Sequence, residues 1–134
     1  MKHQFTVSTR ARAQLVDITA QVQAAIRESG IRSGVAHVFV PHTTAGITIN
    51  EDADPSVVAD LLAALERAVP DDAPYRHSEG NSPAHVKASL MGCCQTVLVE
   101  EGKLTLGTWQ GIYLCEFDGP RTRRVIVKVQ ADAE

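Results

Sequence analysis

Residues 95–130 read QTVLVEEGKLTLGTWQGIYLCEFDGPRTRRVIVKVQ, and this stretch decides the fold class. It is rich in Val, Ile, Thr, Tyr and Phe and is broken by short groups of turn residues, a pattern typical of strands. Glu101-Gly102 predicts a hairpin turn, and residues 118–121 predict the connection between two further long strands. The C-terminal part of the chain is therefore predicted to be β-structure.

Strands are also predicted in the N-terminal half, at residues 3–8, 35–41 and 45–50. The polar break His42-Thr43-Thr44 separates the last two of them. We therefore expect His42 at a strand end or bend.

Three helices are predicted between these strands. The first carries apolar residues at helical spacing and ends at Gly30; these residues are Ile18, Val22, Ala25 and Ile26. Asp54-Pro55 begins the second helix, with Asp54 as the N-cap and proline at the first helical position, and this helix runs to Pro70.

Ser82-Pro83 gives the same cap-and-proline signal for a third helix, which ends at Gly92 and has His85 in its first turn. The stretch DDAPYRHSEGNSPAH before it reads as a long loop that contains His77, and long loops in compact domains are often functional. About seven strands and three helices favour an α+β, β-rich domain with peripheral helices over alternating βαβ units.

Length and composition are those of one globular domain spanning residues 1–134, with 44% hydrophobic and 22% charged residues. The formal net charge of -3 disfavours nucleic-acid and anionic-membrane partners. The sequence has no apolar run long enough to span a bilayer and no signal-peptide pattern at its start, so we expect a cytoplasmic protein. Its three cysteines form no CxxC pair, and we interpret them as reduced, mostly structural thiols.

Three blocks of the sequence resemble the successive signature blocks of the YjbQ family: HTTAGITINEDADPSV (42–57), YRHSEGNSPAHVKASLMG (75–92) and LTLGTWQGIYLCEFDGPRTRR (104–124). The resemblance covers almost the whole chain in the right order. It implies a β-sandwich or jelly-roll-like domain with helices on its flank, assembled as a homotrimer. It also implies a weak thiamine phosphate synthase activity.

His42, His77 and His85 are the leading site candidates, because all three lie inside these blocks. Three neutral imidazoles with one open position are typical of a catalytic metal site. The sequence therefore predicts a histidine-rich pocket that could hold a divalent metal ion, zinc or magnesium. The alternative is that each histidine is an ordinary hydrogen-bonded loop or cap residue.

Polar residues in the same blocks are further candidates. Glu51 follows the predicted strand after His42 and could orient an imidazole or complete a metal site. Asn81 and Gln110 could contact a substrate, although turn chemistry explains Asn81 equally well. Trp109 is the single tryptophan, expected at the pocket wall or a subunit interface.

Phosphate binding is predicted at the third helix and at the arginine cluster. A helix N-terminus favours anions, with Ser82, His85 and Lys87 nearby, although Lys87 could equally be a solvated surface residue. Arg121 and Arg123 share a face on strand alternation and could bind phosphate in a fork, or could form ion pairs instead.

Two functions of different class remain open. The first is an enzyme that acts on a small phosphorylated metabolite, with thiamine phosphate synthase-like activity. The second is a non-catalytic trimer that binds a metal ion or a metabolite. A turnover rate far below the usual enzyme range of roughly 1 to 10³ per second would favour the second.

Overall fold

The computed structural model describes residues 1–133. These residues form eight strands and three helices in the order β1 (Lys2–Ser8), β2 (Gln14–Asp17), α1 (Thr19–Ser29), β3 (Gly34–Phe39), β4 (Ala45–Glu51), α2 (Pro55–Ala68), α3 (Ser82–Met91), β5 (Cys94–Glu100), β6 (Lys103–Leu104), β7 (Gln110–Glu116) and β8 (Thr122–Ala131). The predicted β-rich α+β class with three helices is confirmed. The sequence reading missed β2, since its four residues are too few to show a period of two.

The strands form two antiparallel sheets. The larger has the order β1-β8-β3-β5-β6, and the smaller has the order β2-β7-β4. The predicted hairpin at Glu101-Gly102 joins β5 to β6, and both turn residues have positive φ, 53° and 74°. Strands β7 and β8 follow one another in the sequence but lie in different sheets, so residues 117–121 cross from one sheet to the other.

The main core contains side chains from both sheets and from α1. Val38, Val97 and Val125 come from the larger sheet, and Ile47 and Leu114 come from the smaller one. Helix α1 buries Val22, Ala25 and Ile26 as its spacing predicts, while Ile18 is its buried N-cap residue. Gly30 ends the helix in the left-handed conformation at φ 69°, as predicted.

Helix α2 begins as predicted, with the Asp54 carboxylate accepting a hydrogen bond from the Ser56 backbone N–H at 2.9 Å. None of the α2 residues is buried, although its apolar side chains follow one stripe. Leu65 packs against a small second cluster that contains Ala88 and Phe117. Helix α2 is therefore attached to the rest of the molecule by few contacts.

Helix α3 begins one residue away from the predicted cap. Asn81, not Ser82, occupies the N-cap position, and its backbone carbonyl accepts from the N–H groups of Ala84 and His85. The correction follows from Pro83, which can occupy the second helical position as readily as the first because neither N–H has a partner inside the helix. His85 remains in the first turn.

Within residues 1–133, no helix combines the length and the apolar character needed to cross a membrane.

Candidate functional site

The His42-Thr43-Thr44 break connects the two sheets, since β3 belongs to the larger sheet and β4 to the smaller one. The turn after α3 lies against this break: the Val40 N–H donates to the Cys93 carbonyl at 2.9 Å and the Ile47 N–H donates to the Gly92 carbonyl at 3.0 Å. These backbone bonds bring the end of α3 beside His42.

A cleft of about 490 Å³ opens where the break and α3 meet. Its polar lining comprises His42, Thr43, His85, Ser89 and Cys93, and its remaining lining consists of Ala45, Ala88 and Gly92. A volume of this size suits a small-molecule ligand. The structure thus brings together two of the three histidines singled out from the sequence.

Beside the cleft, β4 and the end of α3 approach each other closely. A Cβ atom added to Gly46 would lie 2.8 Å from the Gly92 carbonyl oxygen and 2.9 Å from the Met91 Cβ. Only glycine leaves room for this contact. Gly46 therefore sets the spacing between β4 and α3.

His42 is held in one orientation by the backbone of β8. Its Nε2 atom accepts a hydrogen bond from the Arg124 backbone N–H at 2.9 Å. Because a backbone N–H can only donate, the neutral ring must carry its proton on Nδ1. His42 is half-buried, and burial lowers its pKa, as do the charges of Arg123, Arg124 and Arg121, while Glu116 opposes them. His42 is thus a neutral imidazole at pH 7 with an Nδ1–H free to donate.

His77 lies beside His85 rather than in the cleft lining. The two rings pack edge to face with centroids 5.5 Å apart, and the exposed His77 places Nε2 3.7 Å from a Glu79 carboxylate oxygen. In the described part of the chain, no three His, Cys, Asp or Glu side chains form a group that could hold a metal ion. Since His42 Nε2 is also occupied, the geometry does not favour a metal held by these three histidines of one chain.

The predicted arginine pair does not share one exposed face. Arg123 is buried and forms an ion pair with the equally buried Glu116, through Nε at 2.9 Å and through Nη2. Arg121 is exposed and contacts Asp118, whose other partner is the Asn81 side-chain amide at 2.9 Å. Arg123 is therefore removed from direct ligand binding, and Arg121 and Asn81 belong to one surface network.

Lys87 is buried, so the alternative of a solvated surface lysine does not hold. It lies on α3 and donates to the Glu66 carboxylate of α2 at 2.7 Å, so it links the two helices. Its position in the first turns of α3 follows the prediction, but its ammonium group already has a partner.

Glu51 and Gln110 lie at the far end of the smaller sheet. Ala45 pairs with Glu116 near His42, whereas Glu51 pairs with Gln110 at the other end of β4. Six residues along a strand span about 20 Å. The structure does not bring Glu51 or Gln110 to the cleft of the same chain.

Trp109 precedes β7 at this far end and is 62% exposed, so it does not line the cleft of its own chain. The Gln110 side-chain oxygen accepts from the Gly107 N–H at 2.8 Å, which is ordinary turn chemistry.

The sequence reading missed Thr43, Ser89 and Cys93 as cleft residues. Ser89 lies one helical turn after His85. This spacing of four residues indicates that the two side chains lie on the same face of α3. Cys93 is exposed and follows the end of α3, whereas Cys115 is buried, and burial raises the pKa of its thiol to about 12. The thiol that the cleft could use is therefore Cys93 and not Cys115.

Comparison with known proteins agrees with these observations. The sequence profile of the family described as UPF0047 protein YjbQ-like matches residues 3–132. The chain belongs to this YjbQ-like family. A UPF0047 protein of Methanocaldococcus jannaschii is 51% identical over 132 residues, which cover 98% of this chain and 96% of the relative. The YugU protein of Bacillus subtilis, also of UPF0047, is 52% identical over 124 residues, covering 92% and 94%.

Solved structures of YjbQ-like proteins show the same fold. A crystal structure of a family member from Clostridium acetobutylicum is 55% identical, superposes with a TM-score of 0.94 and covers 96% of this chain and 99% of its own. A YbjQ-like protein of unknown function from Sulfolobus solfataricus is 36% identical with a TM-score of 0.94, covering 98% and 97%. The family and the fold are thus shown, and the family is one whose function is uncharacterised.

Proposed function

We propose that the cleft between His42 and His85 binds and acts on a small phosphorylated metabolite. The observation that carries the proposal is the bond from the Arg124 N–H to His42 Nε2, which leaves His42 Nδ1–H as a hydrogen-bond donor. Donors suit phosphate oxygens. Burial, with the charges of Arg123, Arg124 and Arg121, lowers the pKa of His42 against the opposing charge of Glu116, so the ring stays neutral and keeps this donor.

The resemblance to the YjbQ family suggests a specific reaction, a weak thiamine phosphate synthase-like coupling. The ring nitrogen of a thiazole phosphate attacks the methylene carbon attached to a pyrimidine ring, and a C–N bond forms. The C–O bond to pyrophosphate breaks, and its electron pair leaves on the pyrophosphate oxygen. Preorganised donors and cations stabilise such a departing charge.

The lining of the cleft meets the needs of this reaction. The attacking thiazole nitrogen carries no proton, so the step requires no general base. Among residues 1–133, no carboxylate lines the cleft. His42 Nδ1–H would donate to the pyrophosphate, His85 would contribute a second imidazole, and Arg121 and Arg124 would contribute positive charge.

A divalent metal ion remains part of the proposal in a changed form. The three histidines do not form a metal-binding group in the described residues, so zinc held by them is not favoured. We propose instead that magnesium enters with the pyrophosphate group, since Mg²⁺ commonly binds through substrate phosphates. Elemental analysis of the purified protein, together with turnover measured with and without MgCl₂, tests this form.

Two variants test the assignment of the site. We expect His42→Ala and His85→Ala each to abolish coupling of the pyrimidine pyrophosphate with the thiazole phosphate, and to weaken binding of inorganic pyrophosphate measured by calorimetry. His37→Ala is the matched control, because His37 hydrogen-bonds Thr96 on the larger sheet and does not line the cleft. Circular dichroism checks that all three variants fold. Unchanged binding and turnover in both cleft variants would refute the assignment.

The second candidate is a non-catalytic protein that binds a metabolite in the same cleft. The pairing of Arg121 with Asp118 and of Arg123 with Glu116 favours this candidate, since cations that are already paired stabilise a departing pyrophosphate less. Tight pyrophosphate binding with turnover orders of magnitude below roughly 1 per second would support the non-catalytic candidate.

We further propose a sandwich-like packing of the two sheets and assembly as a homotrimer in the cytoplasm. The core that mixes side chains of both sheets supports the sandwich. The apolar stripe of α2, none of whose residues is buried in one chain, supports assembly. Light scattering of the purified protein measures the oligomeric state.

A further inference from the structure

We propose that the buried Arg123–Glu116 ion pair is a positioning device that holds the His42-Thr43-Thr44 break, so that His42 presents Nδ1–H to the cleft. This inference rests on the proposed function of the cleft. It assigns to Arg123 a role different from direct phosphate binding.

The ion pair carries several hydrogen bonds and joins the two sheets. Arg123 lies on β8 of the larger sheet, and Glu116 lies at the end of β7 in the smaller one. Arg123 Nε donates to one Glu116 oxygen at 2.9 Å and Nη2 donates to the other. Glu116 also accepts from the Thr9 hydroxyl at 2.8 Å and from the Asp118 N–H at 2.9 Å.

The same arginine reaches the break that carries His42. Arg123 Nη2 donates to the Thr44 hydroxyl at 2.8 Å and to the Thr44 carbonyl at 3.2 Å. The peptide N–H of the next residue, Arg124, is the group that donates to His42 Nε2. One dipeptide of β8 therefore fixes both ends of the break, the ring of His42 and the backbone of Thr44.

Burial excludes a direct role in ligand binding. The side chains of Arg123 and Glu116 are 2% and 0% exposed, so neither reaches a ligand in the cleft. A buried ion pair contributes little net stability compared with an apolar pair of the same volume. The charged pair instead fixes geometry, since the Nε–H and the two Nη2–H groups of the planar guanidinium point at both Glu116 oxygens and at Thr44.

The test measures the protonated nitrogen of His42 directly. Two-bond ¹H–¹⁵N spectra at pH 8, where imidazoles are neutral, distinguish a ring protonated on Nδ1 from one protonated on Nε2. The charged or titratable groups near His42 are Glu116, Arg121, Arg123 and Arg124, with His85 and Cys93 across the cleft, and the comparison is therefore made at one pH.

Two variants separate charge and geometry. Arg123→Lys keeps the charge but cannot contact both Glu116 oxygens and Thr44 together. The double variant R123M/E116M replaces the ion pair with an apolar pair of similar size and leaves no buried charge unpaired. In the wild type we expect His42 protonated on Nδ1. In both variants we expect a mixture of the two forms and pyrophosphate binding weakened at least tenfold.

The control is Lys128→Met, which removes an exposed cation from the same strand and should leave the His42 signals unchanged. A purely structural ion pair would change the melting temperature of the variants but not the protonated nitrogen of His42. If the His42 signals of Arg123→Lys are the same as those of the wild type, the inference is overturned. This comparison does not depend on whether the double variant folds. A failure of the proposed function can be distinguished from a failure of this inference, because the wild type would then not bind pyrophosphate.

Discussion

At the scale of single residues, His42 shows what the sequence could and could not reveal. Its place in a polar break between two strand patterns predicted a strand end, and the structure has it there. The Arg124 N–H that fixes its ring comes from a strand 82 residues later in the chain, and no local pattern reports such a contact. The position was therefore predictable from sequence, and the protonation state was not.

The lowered pKa of His42 predicts a dependence of stability on pH. Between the usual histidine pKa of about 6.5 and the lower folded value, the unfolded chain binds a proton that the folded chain does not. The free energy of unfolding should therefore fall as the pH falls through this window. Urea denaturation at several pH values measures the slope.

His42→Asn should reduce this slope, because it removes the titrating group. His37→Asn controls for the loss of a histidine elsewhere. An equal slope in wild type and His42→Asn would show that His42 does not contribute.

At the scale of secondary-structure elements, caps and spacing predicted most helix ends, while packing did not follow from the pattern. The apolar stripe of α2 resembles that of a helix packed on a core, yet none of its residues is buried in the chain. The ion pair of Lys87 with Glu66 was also invisible in the sequence, since α2 and α3 are joined by a loop without a regular period.

This ion pair predicts a stability effect between α2 and α3. Glu66→Ala leaves the buried Lys87 ammonium without its partner and should lower the free energy of unfolding by about 1–3 kcal/mol. Asp60→Ala removes an exposed carboxylate from the same helix and should change it by less than about 0.5 kcal/mol. Urea denaturation measures both.

The double variant E66A/K87M should regain most of the loss, because the uncompensated ammonium is gone. Equal effects of Glu66→Ala and Asp60→Ala would mean that Lys87 finds another partner.

At the scale of the whole molecule, the family's signature blocks are spread over two ends of the fold. The blocks around His42 and His85 meet at the cleft, but Glu51 and Gln110 lie at the far end of β4 and β7. Sequence adjacency suggested one pocket, since Glu51 is only nine positions from His42. Glu51 and His42 are far apart because they lie at opposite ends of β4, which is an extended strand.

The charge distribution predicts a dependence of ligand binding on salt. The chain has a net charge of -3, yet the charges of three arginines act on His42 against the opposing charge of Glu116. We expect the affinity for inorganic pyrophosphate to fall as NaCl is raised from about 0.01 to 0.15 M, because the Debye length shortens from roughly 30 to 8 Å.

Calorimetry at several salt concentrations measures this dependence. An affinity that does not change with salt would place the binding site away from the arginines.

The contact between Gly46 and Gly92 also limits how the cleft could be redesigned. Even a methyl group at Gly46 would collide with the end of α3, so the spacing between β4 and α3 tolerates no larger residue at this position. An engineer seeking a new ligand preference can instead vary the polar lining residues Thr43, Ser89 and Cys93. A library confined to these three positions would vary the lining of the cleft and leave the spacing between β4 and α3 unchanged.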